Sequence, residues 1–324
     1  MSNPPKPRPP ATAGKKRAKT KAAPPAAQTP AVPPPPTVPQ AARLITKTPM
    51  FAAMHANRYQ RQALIREIEA RTDAVLICYV SGANCQIEDA DTIGFVELLH
   101  NVPAGQPVDL LLHTSGGDVD AAEKLINLVR ARQGDGVALR VIVPDAAKSA
   151  GTLMALGANE LIMSDSSELG MIDPQAYLKD DAGNDICTSV VAYLEAFREH
   201  SEAFAAKPTD PVAQAMFHRF DPVIVRKFQL YVDRTREIAM RMLNRTGMAS
   251  TLISQSLMDV RQWKSHNQMI GHGDARQLGL NVSYLPPDDE LWQLCWHLYC
   301  MQWLEVGKDK KLFESRFVSQ TFER

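Results

Sequence analysis

Short apolar runs alternate with helix-patterned segments from residue 74 to residue 163, and this alternation limits the chain to few folds. The runs AVLICYVS (74–81), VDLLLH (108–113) and VALRVIVP (137–144), with a shorter one at 160–163, are rich in Val, Ile and Leu. Continuous apolar runs of that length suit strands covered on both faces. The pieces between them, 91–100, about 118–133 and about 149–158, read as helices. Such spacing means βαβ units and a mainly parallel sheet, an α/β class. Upstream, 50–71 reads as a helix with Met50, Met54, Leu64, Ile65 and Ile68 inward. From about 189 the chain turns helical, and 221–243 puts Ile224, Phe228, Tyr231, Ile238 and Met242 on one stripe.

A formal charge of zero conceals two unlike parts. Residues 1–47 hold 13 prolines and nine Lys or Arg, with no acid and no aromatic. Such a segment cannot bury enough apolar area to offset ordering its backbone, so 1–47 is expected to be a disordered tail. The other 277 residues carry 27 basic and 36 acidic groups, a net of −9. That body is a poor match to nucleic acid, and only the basic tail offers a surface for it. No stretch approaches ~18 consecutive apolar residues, so no membrane span is expected. The N-terminus also lacks the apolar stretch of a secretory signal. Cys78, Cys85, Cys187, Cys295 and Cys300 are odd in number and lack C-x-x-C spacing. They read as free thiols of a reducing compartment, and the expected location is the cytoplasm. Asp118, Asp120, Asp165, Glu168 and Asp173 scatter over turns and caps and make no metal site. No dinucleotide or phosphate fingerprint is present, so no cofactor is expected.

Two turns share one layout. Thr114-Ser115-Gly116-Gly117 links the end of a strand to a helix that Asp118 can cap. Lys148-Ser149-Ala150-Gly151 does the same one βα unit later. Glycines there let backbone bend and approach a substrate closely. The N–H groups that open each helix have no partner within it and attract negative charge. In a parallel sheet both turns fall at the carboxyl ends of strands, where ligand sites of α/β proteins lie. Together they can hold an oxyanion, with Ser149 placed to attack a carbonyl. The alternative is that both are ordinary βα turns, with Ser149 a helix cap. The sequence A-K-S-A-G is not the G-x-S-x-G nucleophile elbow.

LLLHTSGGDVDAAEKL followed by VIVPDAAKSAGTLMALGANELIMSDSSELGMIDPQ resembles the proteases of the Clp/crotonase fold. The likeness is strongest to the serine dehydrogenase proteinase group, related to signal peptide peptidase A and the Clp proteolytic subunit. Ala56-Asn57-Arg58-Tyr59-Gln60-Arg61-Gln62 and WKSHNQMIGHGDARQLGLNV (263–282) extend the likeness over about 50–285. It implies a Clp/crotonase-like fold of repeated βα units at 48–285, with 286–324 a C-terminal helix and tail. It also implies a serine peptidase acting on peptides or proteins. Ser149 matches the family nucleophile, Gly116 and Gly117 the oxyanion turn, and Ala150 the second N–H donor.

The sequence departs from the Clp subunit at the base. Where that subunit has its catalytic His in M-I-H-Q-P, this chain reads Met171-Ile172-Asp173-Pro174-Gln175. An Asp with a pKa near 4 is too weak a base for a hydroxyl unless burial raises it. A Ser–Lys dyad needs a desolvated lysine. Residues 180–206 contain none, and Lys179 and Lys207 flank the gap. Lys148 adjoins the serine but is expected to point elsewhere. The candidates rank Lys179, then Lys207, then His113, with Asp173 last as a base but plausible as an orienting group. His218, His266 and His272 are further candidates.

Two rival functions stay open. One is a scaffold that keeps the fold and has lost its base at 173. The other is a crotonase-like acyl-CoA enzyme that uses the paired N–H groups without a nucleophile. The segment 289–304 is apolar nearly all round and holds Trp292, Trp296 and Trp303. A surface helix needs an apolar stripe only about 100° wide. The surplus suggests a homo-oligomer built through this helix or 221–243, with Trp296 or Phe228 at the contact. Alternatively the helix is sandwiched between the sheet and 221–243.

Overall fold

The computed structural model describes residues 47–323 apart from 135, 181 and 247, so the expected tail lies, except for Lys47, outside the described residues. Two helices, α1 (Pro49–Met54) and α2 (Ala56–Thr72), lead into β1 (Val75–Ser81). Asp73 ends α2 in the left-handed conformation, and its N–H bonds the Glu69 carbonyl. Three helix–strand steps follow: α3 (Asp91–His100), β2 (Val108–His113), α4 (Val119–Gln133), β3 (Leu139–Ile142), the two-residue β4 (Ala146–Ala147), α5 (Ala150–Leu156) and β5 (Glu160–Met163). Beyond them lie β6 (Glu168–Leu169) and a hairpin of β7 (Gln175–Lys179) and β8 (Asp185–Ser189). Four helices come next, α6 (Val190–Ala206), α7 (Pro211–Phe217), α8 (Pro222–Thr246) and α9 (Ser250–Leu257). The chain finishes with α10 (His272–Gln277), β9 (Val282–Tyr284), α11 (Glu290–Val306), β10 (Lys310–Ser315) and β11 (Ser319–Glu323).

Seven strands form the main sheet in the order β11-β10-β1-β2-β3-β5-β9. The run from β1 to β9 is parallel, as the βα spacing requires. Side chains alternate across a strand, so each apolar run supplies two cores. Ile77, Tyr79, Leu110, Leu112, Val141 and Met163 face one side, under α3, α4, α5 and α8. Leu76, Cys78, Val80, Leu111, Ile142 and Ile162 face the other, under α2 and α11. This two-sided cover is why the strands read as continuous apolar runs.

Three features differ from the sequence reading. The sheet is mixed, because β10 pairs antiparallel with β1 and β11 antiparallel with β10. Those strands lie where only a tail was expected. Two charges inside β10 hide it from an apolar pattern. Lys311 is buried against Asp91 and Glu88, and Glu314 is buried against Arg61. Second, α11 is not sandwiched against α8, since the two cover opposite faces of the sheet. α11 buries Trp292, Cys295, Leu298 and Tyr299 on β1 and α2, and leaves Trp303 and Leu304 exposed. Third, Phe228 is a core residue, stacked edge-on against Tyr193.

Candidate active site

The two glycine turns meet at the carboxyl ends of β2 and β3. Thr114 fastens them together. Its N–H donates to the Ala146 carbonyl at 2.9 Å, and its carbonyl accepts from the Lys148 N–H at 3.0 Å. Gly151 lets α5 close on this strap, because a Cβ there would lie 2.5 Å from Thr114 Cγ2. Ser149 and Gly116 are in contact. A Cβ on Gly116 would fall 2.7 Å from Ser149 Cβ and 3.3 Å from its Oγ.

The backbone of Ser149 is strained, with φ 52° and ψ −117°. A non-glycine residue held in a sparsely populated region costs about 1–3 kcal/mol and persists only where its surroundings force it. Ser149 occupies the N-cap position of α5, yet its side chain makes no capping bond. Asp118, at the same position of α4, caps by accepting from the Ala121 N–H at 2.8 Å. The hydroxyl of Ser149 is thus presented rather than spent on the helix. The ordinary-cap alternative for Ser149 fails on this point.

Gly116 and Gly117 have φ of 109° and 148°. The Gly116 carbonyl accepts from Ile87 N–H at 2.8 Å, and Asp118 N–H donates to the Ile87 carbonyl at 2.9 Å. A trans peptide points its N–H opposite to its C=O. Gly117 N–H is therefore turned away from Ile87. Ala150 opens α5, where the first N–H groups have no intrahelical acceptor. Residues 85–91 brace this turn from behind. Lys311 Nζ holds Glu88 at 2.6 Å and Asp91 at 2.8 Å, and Tyr79 Oη donates to Asp91 at 2.9 Å. No sequence signal marked Ile87 or Lys311 as parts of a site.

A carboxylate–imidazole pair sits on two segments that Lys148 ties to the elbow. Leu169 and Ile270 exchange backbone hydrogen bonds at 2.9 and 3.1 Å, laying 266–270 along 169–173. Thr152 Oγ1 donates to the Ala147 carbonyl at 2.7 Å and accepts from the Gly170 N–H at 3.0 Å. Lys148 Nζ reaches the carbonyls of Leu169, Asn267 and Gln268 at 3.2–3.5 Å and Glu168 at 2.9 Å. It ties the His266 loop to the elbow, with its ammonium engaged by these groups. Within this lattice His266 Nδ1 lies 2.6 Å from Asp173 Oδ1. Asp173 is 1% exposed, and its other oxygen accepts from Gln175 Nε2 at 2.7 Å.

The remaining base candidates fit poorly. Lys179 is 66% exposed in its side chain and ion-paired to Asp185 at 2.6 Å, the reverse of the desolvation a neutral lysine needs. Lys207 caps the end of α6 and is exposed. His113 is enclosed by Tyr299 and Asp145, and its Nδ1 faces the Ala146 N–H at 3.3 Å. Burial holds it below the ordinary histidine range, against the smaller opposing pull of Asp145. His218 is exposed beyond α7, and His272 stacks on Tyr284 with Asp165 at 3.5 Å. His266 stands in the sequence only as one of several histidines, since nothing in its spacing announces contact with a residue 93 positions earlier.

Residues 44–190 match the family model described as ClpP-like SDH-type serine proteinase. That segment, a little under half of the chain, is similar to this family. The matched stretch contains Gly116, Gly117, Ser149 and Asp173 and stops short of His266 and β10. Two uncharacterized proteins of Methanocaldococcus jannaschii are 40% and 35% identical over 89 residues each. That span is 28% of this chain, and it covers only 29% of each relative. Two solved structures of the 1510-N membrane-bound stomatin-specific protease also align. A serine-to-alanine mutant is 15% identical over 68% of this chain and 84% of that one, with a TM-score of 0.41. A lysine-to-alanine mutant in complex with a substrate peptide is 13% identical over 71% and 98%, with a TM-score of 0.34. At those scores the two structures carry no argument. Among the described residues no helix is long and apolar enough to cross a membrane, and no group of His, Cys, Asp and Glu is arranged to hold a metal ion.

Proposed function

We propose that the chain is a serine peptidase whose nucleophile is Ser149, with His266 as general base and Asp173 as its orienting carboxylate. The observation that carries this reading is the 2.6 Å contact between His266 Nδ1 and Asp173 Oδ1, beside the elbow that presents Ser149. With Nδ1–H donating to Asp173, Nε2 is left bare and can accept a proton. An orienting carboxylate of this kind contributes about 10⁴-fold to kcat in serine hydrolases.

Ser149 Oγ attacks the scissile carbonyl while its proton passes to His266 Nε2. The carbonyl oxygen becomes an oxyanion, held by the N–H groups of Gly117 and Ala150. The tetrahedral species collapses, the C–N bond breaks, and the leaving amine takes the proton from His266. Water then repeats the sequence on the acyl-enzyme and frees Ser149. Preorganised donors at the oxyanion are worth roughly 10²–10³ each in kcat, so the Gly116-Gly117 turn matters as much as the base.

Peptides or proteins are the substrate class. The working form is a homo-oligomer, supported by Trp303 and Leu304, which stand 52% and 76% exposed on the outer face of α11. All five cysteines are free, which fits a cytoplasmic location. The experiment is labelling with a fluorophosphonate probe and mass mapping of the adduct. Ser149 is labelled in the unaltered chain, Ser149→Ala abolishes the adduct, and His266→Ala slows it by at least ~10²-fold. A folded protein that takes no label is a scaffold or an acyl-CoA enzyme, and the peptidase reading is then lost.

A further inference from the structure

Gln175 stands outside every role assigned so far, at the first position of β7. Its Nε2 lies 2.7 Å from Asp173 Oδ2 and 3.2 Å from His266 Nδ1. Its Oε1 accepts from the Cys187 thiol at 3.8 Å, across the β7–β8 hairpin. These contacts fix the direction of the side-chain amide. Turned over, it would set Oε1 against the Asp173 carboxylate and leave two acceptors facing each other. With Nε2 inward, two donors converge on one carboxylate, the amide on Oδ2 and the imidazole on Oδ1.

We propose that Gln175 is the positioning residue of the pair, locking the Asp173 carboxylate so that His266 keeps its proton on Nδ1 and presents Nε2 to Ser149. This rests on the peptidase reading. The physical case is one of hydrogen-bond capacity. A buried carboxylate with one donor can rotate about its Cβ–Cγ bond and offer either oxygen to the imidazole. Held by an amide on one oxygen, it offers the other in a single direction. Because Nδ1 lies 2.6 Å from Asp173 Oδ1, a bare Nδ1 would set two acceptors against each other, so the imidazole keeps its proton on that nitrogen as long as the carboxylate holds its place. Asp173 and Gln175 sit at either side of Pro174, whose φ is fixed by its ring. The charged and titratable groups facing the imidazole here are Asp173 and, through Gln175, the Cys187 thiol.

The test uses the full chain and two substitutions at this half-buried position. Gln175→Met keeps the size and removes the donor. Gln175→Glu keeps the shape and puts a carboxylate beside the imidazole, which favours the imidazolium. Fluorophosphonate labelling of Ser149 should slow about tenfold or more in Gln175→Met, with the melting temperature unchanged. In Gln175→Glu the pH–rate profile of labelling should move about one unit toward higher pH, a change that loosened packing would not produce. Nitrogen-15 spectra of the imidazole should show His266 with Nδ1 protonated in the unaltered chain and a mixture of tautomers in Gln175→Met. Unchanged labelling rates, unchanged pH profiles and an unchanged His266 spectrum in both variants overturn the proposal. The spectrum is read without activity. A chain whose Ser149 never labels therefore defeats the peptidase reading, while the tautomer still decides the role of Gln175.

Discussion

Gly117→Ala removes no reactive group, yet it should nearly silence the site. Gly117 has φ 148°, and a Cβ there would lie 2.4 Å from both the N and the O of Ile87. Ordinary contact begins near 3.4 Å, so the turn must open by about 1 Å. No flexible side chain can give way. Both colliding atoms are backbone, held by the 2.8 Å bond from Ile87 N–H to Gly116 and the 2.9 Å bond from Asp118 N–H to Ile87. A misplacement of that size costs on the order of 10²-fold in rate. Loss of one oxyanion donor costs 10²–10³, or about 2.7–4 kcal/mol, so the two arguments agree. Stability suffers less. The strained backbone costs about 1–3 kcal/mol and each disturbed hydrogen bond about 1 kcal/mol. Each kcal/mol lowers Tm by roughly 2–4 °C in a domain of this size. A variant still folded at 25 °C should therefore label with fluorophosphonate about a hundred times more slowly, its Tm lower by some 5–15 °C. Labelling within threefold of the unaltered protein would show that Gly117 N–H takes no part in the chemistry.

Ser149→Gly and Ser149→Ala should both be inactive, but the glycine variant should be the more stable of the two by about 1 kcal/mol, because only it relieves φ 52°; equal Tm values would mean that the elbow carries no strain. Acid should destabilise the fold through His113. Its folded pKa is depressed by burial, so below about pH 6.5 the unfolded chain takes up a proton that the folded one refuses, and stability falls with pH. His113→Asn, which can still accept from the Ala146 N–H, should flatten that part of the profile, as urea unfolding at pH 7.5 and 5.5 would report. Iodoacetamide under native conditions should modify Cys187, which is exposed, and spare Cys78 and Cys295. Burial raises the Cys78 thiol well above its ordinary range and pushes Cys295 up to about 12, so mass mapping that finds either alkylated would contradict the packing of α11 on β1.

The parts of the fold legible in the sequence are those whose pattern is local. The helix expected over 91–100 is α3 (Asp91–His100), the strand at 108–113 is β2, and Asp118 caps α4 as its position suggested. Each is set by apolar periodicity and a cap within a few residues. The strand KKLFES was illegible because Lys311 and Glu314 break the apolar pattern, and only carboxylates and a guanidinium from far along the chain make their burial tolerable. The site divides in the same way. Ser149 and the two glycines were readable because a sharp strand-to-helix turn demands small residues at fixed spacing. The proposed base was not, because His266 reaches Asp173 only through the pairing of 270 with 169, which no local pattern encodes. Lys179 ranked first on chain position alone, and its exposure on the hairpin removes it.

The register of Ile77 against Ser315 has a consequence for the order in which the protein is made. A ribosome adding about 5–20 residues per second delivers β10 more than ten seconds after β1 has emerged. Throughout that interval one edge of Val75–Ser81 is an open apolar template, the kind of surface that chaperones shield. Asp91 and Glu88 also wait for their cation, so the Ile87 segment behind the oxyanion turn has no foundation. Ser149 and both glycines are already present in the nascent chain, but the brace behind their turn is not. On the proposed peptidase reading, the site is therefore completed only after the last residues of the sheet have been made.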